Sequence, residues 1–337
     1  MFYPLLLEPR FKERVWGGRR LAALYGKALP PGLPIGESWE VTDRPGDVSV
    51  IRNGRWAGRD LRWLMEEHRD GLLGGARDEG GRFPLLVKIL DARELLSVQV
   101  HPPAEVAVRL GGEPKTELWY FTETEPGAVI YAGLRRGVTR EEFERRLREG
   151  RVEECIHRFA VRAGDAVFLP SGRVHALGAG VVLFEIQQNS DTTYRVFDWN
   201  RVGLDGRPRE LHVAEALESI RFDDVEPGPL PEVWEGSGEG SRRRLVAHEL
   251  FRVDAWRWEG PTVVKWPGGR CRVLGVVRGR VRVRGGGEVV ELLPGTFCVV
   301  PAGVAALELE VGGSAELLEA EPGPLKSAGS VVSREGQ

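Results

Sequence analysis

The stretch Gly164-Asp-Ala-Val-Phe-Leu-Pro170-Ser-Gly172-Arg-Val-His175 decides the fold. A glycine opens a turn, Ala166–Leu169 forms a short apolar strand, and a Pro–Gly pair turns the chain again. The same spacing returns 131 residues later, in Gly295-Thr-Phe-Cys-Val-Val-Pro301-Ala-Gly303. Two copies of one turn–strand–turn unit point to duplicated β domains. The copies part just beyond their second glycine. His175 stands three residues after Gly172, and Ala306 three residues after Gly303.

Outward from these copies the chain reads the same way. Its 44 glycines and 22 prolines punctuate short apolar runs, the pattern of a mainly β protein. Strands are expected at Leu85–Leu90, Leu95–Val100, Leu118–Thr122, Ala128–Ala132, Ala166–Leu169 and Val181–Gln187. A second group is expected at Leu250–Trp258, Cys271–Val277, Arg280–Arg284, Glu288–Leu292, Thr296–Val300 and Ala306–Val311. Helices are fewer. Thr139-Arg-Glu-Glu142 reads as a capping box, with a second helical stretch from Val152 to Phe159 (together about 139–159). Segments at about 60–69 and 208–220 complete the set. Val225 to Ser241, rich in Pro, Gly, Glu and Ser, reads as the linker. The expectation is a catalytic domain over 1–238 with short helical segments, and a second β domain over 239–337.

Composition excludes several function classes. With 47 Lys+Arg against 50 Asp+Glu, no excess of positive charge suggests a nucleic-acid partner. No apolar run approaches the roughly 20 residues that span a bilayer, and the N-terminus has no signal-peptide pattern. Cys155, Cys271 and Cys298 are few, odd in number and scattered, unlike a disulfide framework or zinc knuckle. A cytoplasmic protein is expected.

The chemistry gathers in the first half. Side chains alternate along a strand, so Ser97, Gln99 and His101 share one face, as do Lys115 and Glu117. Glu185 and Gln187 lie opposite Phe184 and Ile186. Polar groups on the inward face of apolar strands need partners or cost a few kcal/mol each, and a ligand pocket would supply them. Two imidazoles and a carboxylate (His101, His175, Glu117) suit zinc or another divalent first-row metal. Gln99 is a possible fourth ligand through its carbonyl oxygen. His68, His157 and His248 read as structural, and His212 has no ligand spacing.

The run at 164–175 resembles the second motif of the cupin barrel. That fold's first motif usually carries H-x-H and a nearby Glu; here Gln99-x-His101 and the displaced Glu117 depart from it. The departure itself resembles one branch, the type I mannose-6-phosphate isomerases in their compact bacterial form. The pieces that carry the resemblance run in order from about residue 8 to 215. They are Trp16-Gly-Gly18, Gly36-Glu-Ser-Trp39, Phe83-Pro-Leu-Leu-Val-Lys88, Ser97-Val-Gln-Val-His-Pro102, Lys115-Thr-Glu-Leu-Trp-Tyr120, Pro170-Ser-Gly-Arg-Val-His-Ala176 and Gln187-Gln-Asn-Ser-Asp-Thr-Thr-Tyr-Arg195-Val-Phe-Asp198, with Pro208-Arg-Glu-Leu-His212 continuing the match.

The resemblance implies two cupin-like jelly-roll β-barrel or sandwich domains with a short helical insertion in the first. It implies one zinc ion per chain, held by His101, Glu117 and His175, with Gln99 the most variable ligand, and an active-site arginine at Arg195. The implied reaction interconverts mannose 6-phosphate and fructose 6-phosphate through an enediol, so the expected partner is a small sugar phosphate. Arginine is a poor base because its pKa exceeds about 12, so Arg195 is expected to stabilise developing negative charge. The base stays open among a metal-held water, Glu185 and Lys115. For the phosphate, Lys115 comes first and Ser97 second. The C-terminal repeat, lacking a histidine after Gly303, is expected to hold no metal. Rival readings are a metal-dependent oxygenase and a non-catalytic sugar-phosphate-binding regulator.

Overall fold

The structure is a computed structural model that describes residues 1–236 and 240–325. Its strands are β1 (Leu5–Leu6), β2 (Arg10–Gly18), β3 (Ile35–Val41), β4 (Asp43–Arg44), β5 (Asp47–Val48), β6 (Leu85–Ala92), β7 (Val98–Val100), β8 (Glu117–Thr124), β9 (Val129–Leu134), β10 (Ile156–Ala160), β11 (Ala166–Leu169), β12 (His175–Leu177), β13 (Val181–Gln188) and β14 (Tyr194–Phe197). There follow β15 (Ser241–Ala247), β16 (Phe251–Trp258), β17 (Thr262–Pro267), β18 (Arg272–Arg278), β19 (Val281–Gly285), β20 (Glu288–Leu292), β21 (Phe297–Val300), β22 (Ala306–Val311) and β23 (Ala315–Pro322). Five short helices are α1 (Arg20–Tyr25), α2 (Leu61–Leu73), α3 (Ala104–Leu110), α4 (Arg140–Arg148) and α5 (Val213–Ser219).

The duplication inferred from the glycine–proline motif holds strand by strand. In the first repeat one sheet runs β11-β8-β13-β6-β2-β3, and its second sheet β10-β9-β12-β7-β14. The second repeat orders its strands β21-β18-β23-β16-β15 and β20-β19-β22-β17. Each repeat is thus a pair of antiparallel sheets with a core between them, the cupin sandwich. Trp119, Phe121, Ile130 and Leu177 fill the first core, and Leu274, Val283, Leu309 and Leu317 the second.

A third core joins the two. Leu118 and Tyr120 of β8, Phe184 and Ile186 of β13 and Val87 and Ile89 of β6 pack on Val253, Val273, Phe297 and Leu318 of the second repeat. Strands β6 and β13 are buried along their whole length, so one side of each faces the site interior and the other the neighbouring repeat. Gly275 lets Phe297 lie flat on its sheet, since a Cβ there would sit 2.2 Å from the ring. The N-terminal strand also crosses over. β1 pairs with β21, Leu5 opposite Val299.

Three helix expectations are corrected. Val152–Phe159 is not a helix: a short 3-10 turn at Val152–Cys155 passes into β10, which pairs with β9. From His157 to Ala160 half-buried and exposed residues alternate, a period-two pattern that outweighs the helical start. The helix expected over 208–220 begins only at Val213, and the one over 60–69 runs on to Leu73 behind an Asp60 cap that accepts from the Trp63 amide. The segment 225–236 lies against the first repeat, Leu230 donating its amide to the Ala166 carbonyl (2.8 Å). Buried Arg243 donates to the carbonyls of Gly164, Leu230 and Pro231 and straps it to the first repeat.

Phe184 and Phe297 meet at 4.9 Å between ring centroids in the shared core. Phe297→Ala should therefore lower stability by about 3–5 kcal/mol, with both repeats unfolding in one transition. Chemical denaturation followed by tryptophan fluorescence and circular dichroism checks this; two separated transitions would show that the shared core does not couple the repeats.

Candidate active site and metal centre

The strand register assembles the site. His175, first residue of β12, pairs with Gln99 on β7, and Gln99 in turn with Arg195 on β14. On the other sheet Gln187 stands opposite Glu117, and a cross-strand row runs Trp39, Lys88, Glu185, Trp119. As the period-two reading requires, Glu185 and Gln187 turn away from Phe184 and Ile186, which lie in the shared core.

His101, Glu117 and His175 converge in the interior, their ligand atoms all within 4.8 Å of one another. All three are buried. His101 Nδ1 donates to the Thr192 carbonyl (2.8 Å) and His175 Nδ1 to the Arg173 carbonyl (2.9 Å). Each ring thereby turns its Nε2 lone pair inward, the arrangement that orients imidazole ligands on a metal. Burial lowers the pKa of both rings, most strongly for His101, which Lys115 and His175 also disfavour as a cation. Both are neutral donors. Burial acts to raise the Glu117 carboxyl, but the surrounding charges, the Lys115 ammonium foremost, hold it below its ordinary value.

His101 Nε2 and both Glu117 carboxylate oxygens are buried without a hydrogen-bond partner. His101 Nε2 lies only 2.5 Å from Glu117 Oε1, and His175 Nε2 lies 3.7 Å from it. Orphaned buried acceptors are costly, and a divalent cation would satisfy all of them. The donor set fits zinc. Gln99 presents its amide nitrogen to His175 Nε2 at 3.2 Å, so coordination through its carbonyl oxygen would require the amide to turn over.

Beside the centre, bordered by its neighbours Gln99 and Lys115, opens a cavity of about 590 Å³. Ser97, Gln99, Lys115, Glu185 and Arg195 all line it. Lys115 Nζ lies 3.6 Å from Glu117 Oε1. Glu185 accepts from Trp119 Nε1 (2.8 Å) and pairs with Lys88 Nζ (3.0 Å). Arg195 donates to the Glu210 carbonyl (2.7 Å), and its Nε has no partner. Burial, then Arg209, lowers its pKa. Asp198 pairs instead with Arg201 and Arg209.

Sequence reasoning missed four contributors. Lys88 could pass for a surface lysine, yet it is buried; Glu185 and Glu37 overcome the cost of burial and hold its ammonium above the ordinary lysine range. Burial would raise the Glu37 carboxyl, but Arg14 and Lys88 bring it down to about 2. Arg14 donates to Glu37 (2.7 Å) and lines the cavity. His212 clamps Arg195, accepting from its amide at Nδ1 (3.3 Å) and donating to its carbonyl (2.8 Å). A single lysine in the middle of the apolar run Leu85–Leu90 was the available signal for Lys88. Nothing local marks His212.

The second repeat shows the same framework differently filled. Glu117 pairs with Leu169, and Arg272 pairs with Val300; both partners directly precede the motif's proline. Arg272 therefore stands where Glu117 does, and Ala306, opposite Pro267, where His175 stands opposite Gln99. The Arg272 guanidinium is buried and reaches Glu319 at 2.7 Å.

Comparison with known proteins agrees with this geometry. The family model for the phosphomannose isomerase type I catalytic domain matches residues 5–129. A probable mannose-6-phosphate isomerase of Bacillus subtilis (strain 168) is 36% identical over 96% of this chain and 100% of its own length. A second mannose-6-phosphate isomerase of that organism is 37% identical over 91% of this chain and 96% of its own. The crystal structure of a mannose 6-phosphate isomerase from Bacillus subtilis superposes with a TM-score of 0.85 at 32% identity, covering 94% of this chain and 99% of that one. Relatives this similar, matched along nearly their whole length, show that the chain belongs to the type I mannose-6-phosphate isomerase family.

Proposed function

We propose that this chain interconverts mannose 6-phosphate and fructose 6-phosphate through an enediol, with one zinc ion per chain held by His101, Glu117 and His175. The observation that carries the reading is the trio of partnerless acceptor atoms, His101 Nε2 and both Glu117 oxygens, next to a cavity whose walls carry Lys88, Lys115, Arg195 and Arg209 among acidic side chains. Gln99 is a fourth ligand only if its amide turns.

When bound, zinc polarises the substrate oxygen next to the carbon that loses its proton. The chain's own groups do the rest. Lys115 and Ser97 bind sugar oxygens from the cavity wall. Glu185, held at Oε2 by Trp119 and at Oε1 by Lys88, lines the cavity as a carboxylate available to the reacting carbons. Arg195 holds a fixed positive charge for the negative oxygen that develops, preorganised by the His212 clamp and the Glu210 carbonyl. The Lys88 ammonium, kept protonated between Glu185 and Glu37, adds to that field.

In this reading residues 1–238 form the catalytic unit and 239–337 a covering unit without metal ligands. Arg272 and Ala306 at the ligand positions support it. Three buried, unpaired thiols fit a reducing cytoplasm. No helix among the described residues is long and apolar enough to cross a membrane.

Fructose 6-phosphate formation from mannose 6-phosphate is the direct test; a zinc-loaded chain without it would exclude this function. Arg195→Ala should retain metal yet lose about 10²–10³-fold in kcat, and near-normal turnover would remove Arg195 from the chemistry. His101→Ala and His175→Ala should each lose bound zinc by elemental analysis, and activity with it. A variant that keeps a full equivalent of zinc would displace that residue from the ligand set.

A further inference from the structure

Resting on the proposed function, we infer that Arg209, held in place by Asp198, is the residue that recognises the phosphate of the substrate. The cavity has two ends. At the inner end Lys115 stands 3.6 Å from Glu117, so a phosphate on Lys115 would crowd the metal and occupy the space the reacting carbons need. From there the register steps outward, His175 to Gln99 to Arg195. These are two inter-strand steps of about 4.8 Å each. Carbons 1 and 2 of a hexose 6-phosphate are at the opposite end of the molecule from its phosphate. The phosphate therefore belongs at the outer end.

The outer end is lined by Thr193, Arg195, Arg209 and the turn at Gly203–Asp205. Among the described residues Arg195 has no carboxylate partner within ion-pair range, and the like charge of Arg209 opposes its own more than Asp198 supports it. Asp198, already committed to Arg201 and Arg209, offsets that repulsion only in part, and a ligand anion shared by Arg195 and Arg209 would relieve the rest. Asp205 also lines this end, but it is engaged locally, accepting from the Arg207 amide (3.0 Å).

Asp198 sets the position of Arg209. Its carboxylate is buried and accepts from Arg209 Nε (2.7 Å) and also from Nη2. It takes a further bond from Arg201 Nη2 (2.8 Å). The two-pronged pair fixes the guanidinium plane and leaves Nη1 of Arg209 for a ligand. Gly203 packs on the arginine stem, where a Cβ would lie 3.3 Å from Cγ of Arg209. Asp198 is a positioning residue in this account, and it touches no substrate.

The test measures KM and kcat for mannose 6-phosphate, together with competitive inhibition by inorganic phosphate. If the wild type does not turn the sugar over, the functional reading fails and this inference with it. Given an active wild type, Arg209→Gln should raise KM about tenfold or more, weaken phosphate inhibition in parallel and leave kcat within about threefold. An unchanged KM, or a fall in kcat alone, would overturn the assignment. Asp198→Asn separates position from charge. If Asp198 only dilutes positive charge, KM falls; if it positions Arg209, KM rises, as expected here. Should that variant fail to fold, Arg209→Lys keeps the charge but cannot form the two-pronged pair. Its KM should lie between those of wild type and Arg209→Gln, and a wild-type KM would contradict the positioning role.

Discussion

The rest of this structure depends on a set of donor atoms that the fold buries and leaves unsatisfied. His101, Glu117 and His175 are almost wholly withdrawn from solvent, and the protein supplies no hydrogen bond to His101 Nε2 or to either Glu117 oxygen. Holding them so requires rigid strands on both sides. Two backbone carbonyls fix the imidazole orientations, and β8 and β13 hold Glu117 opposite Gln187. The shared core behind these strands then becomes part of the site. Phe184 and Leu118 pack on the second repeat while their neighbours Glu185 and Glu117 face the cavity and the metal centre respectively.

The second repeat offers an internal control. Its sheets have the same strand order, yet the Glu117 position carries Arg272 and the His175 position Ala306. A guanidinium paired with Glu319 needs no added ion, because it brings its own positive charge. One sandwich thus balances buried carboxylate with a built-in cation. The other concentrates neutral imidazoles around a carboxylate, a donor set suited to a metal.

Much of this was legible in the sequence because it rests on period-two alternation and on one repeated turn. The Gly164–Gly172 motif located both sandwiches, and alternation placed Ser97, Gln99, His101, Glu185 and Gln187 on inward faces. What escaped depends on partners distant in the chain. β3 was missed because Ile35-Gly-Glu-Ser-Trp-Glu-Val41 looks too polar for a buried strand; Arg14 and Lys88, from β2 and β6, neutralise Glu37 there. Helix α3 follows Pro102–Pro103 and is too short to show a helical period. Arg209 and His212 act through Asp198 and the Arg195 backbone, contacts that only the folded loop after β14 creates.

The central claim is that the His101–Glu117–His175 centre is a metal site on which the isomerase activity depends. The most direct measurement follows mannose 6-phosphate conversion in one sample before chelation, after chelation and after zinc is returned, with the bound metal quantified at each stage. Activity should disappear as the metal leaves and return at one equivalent of zinc per chain. Full activity in a chain shown to carry no metal would contradict the account.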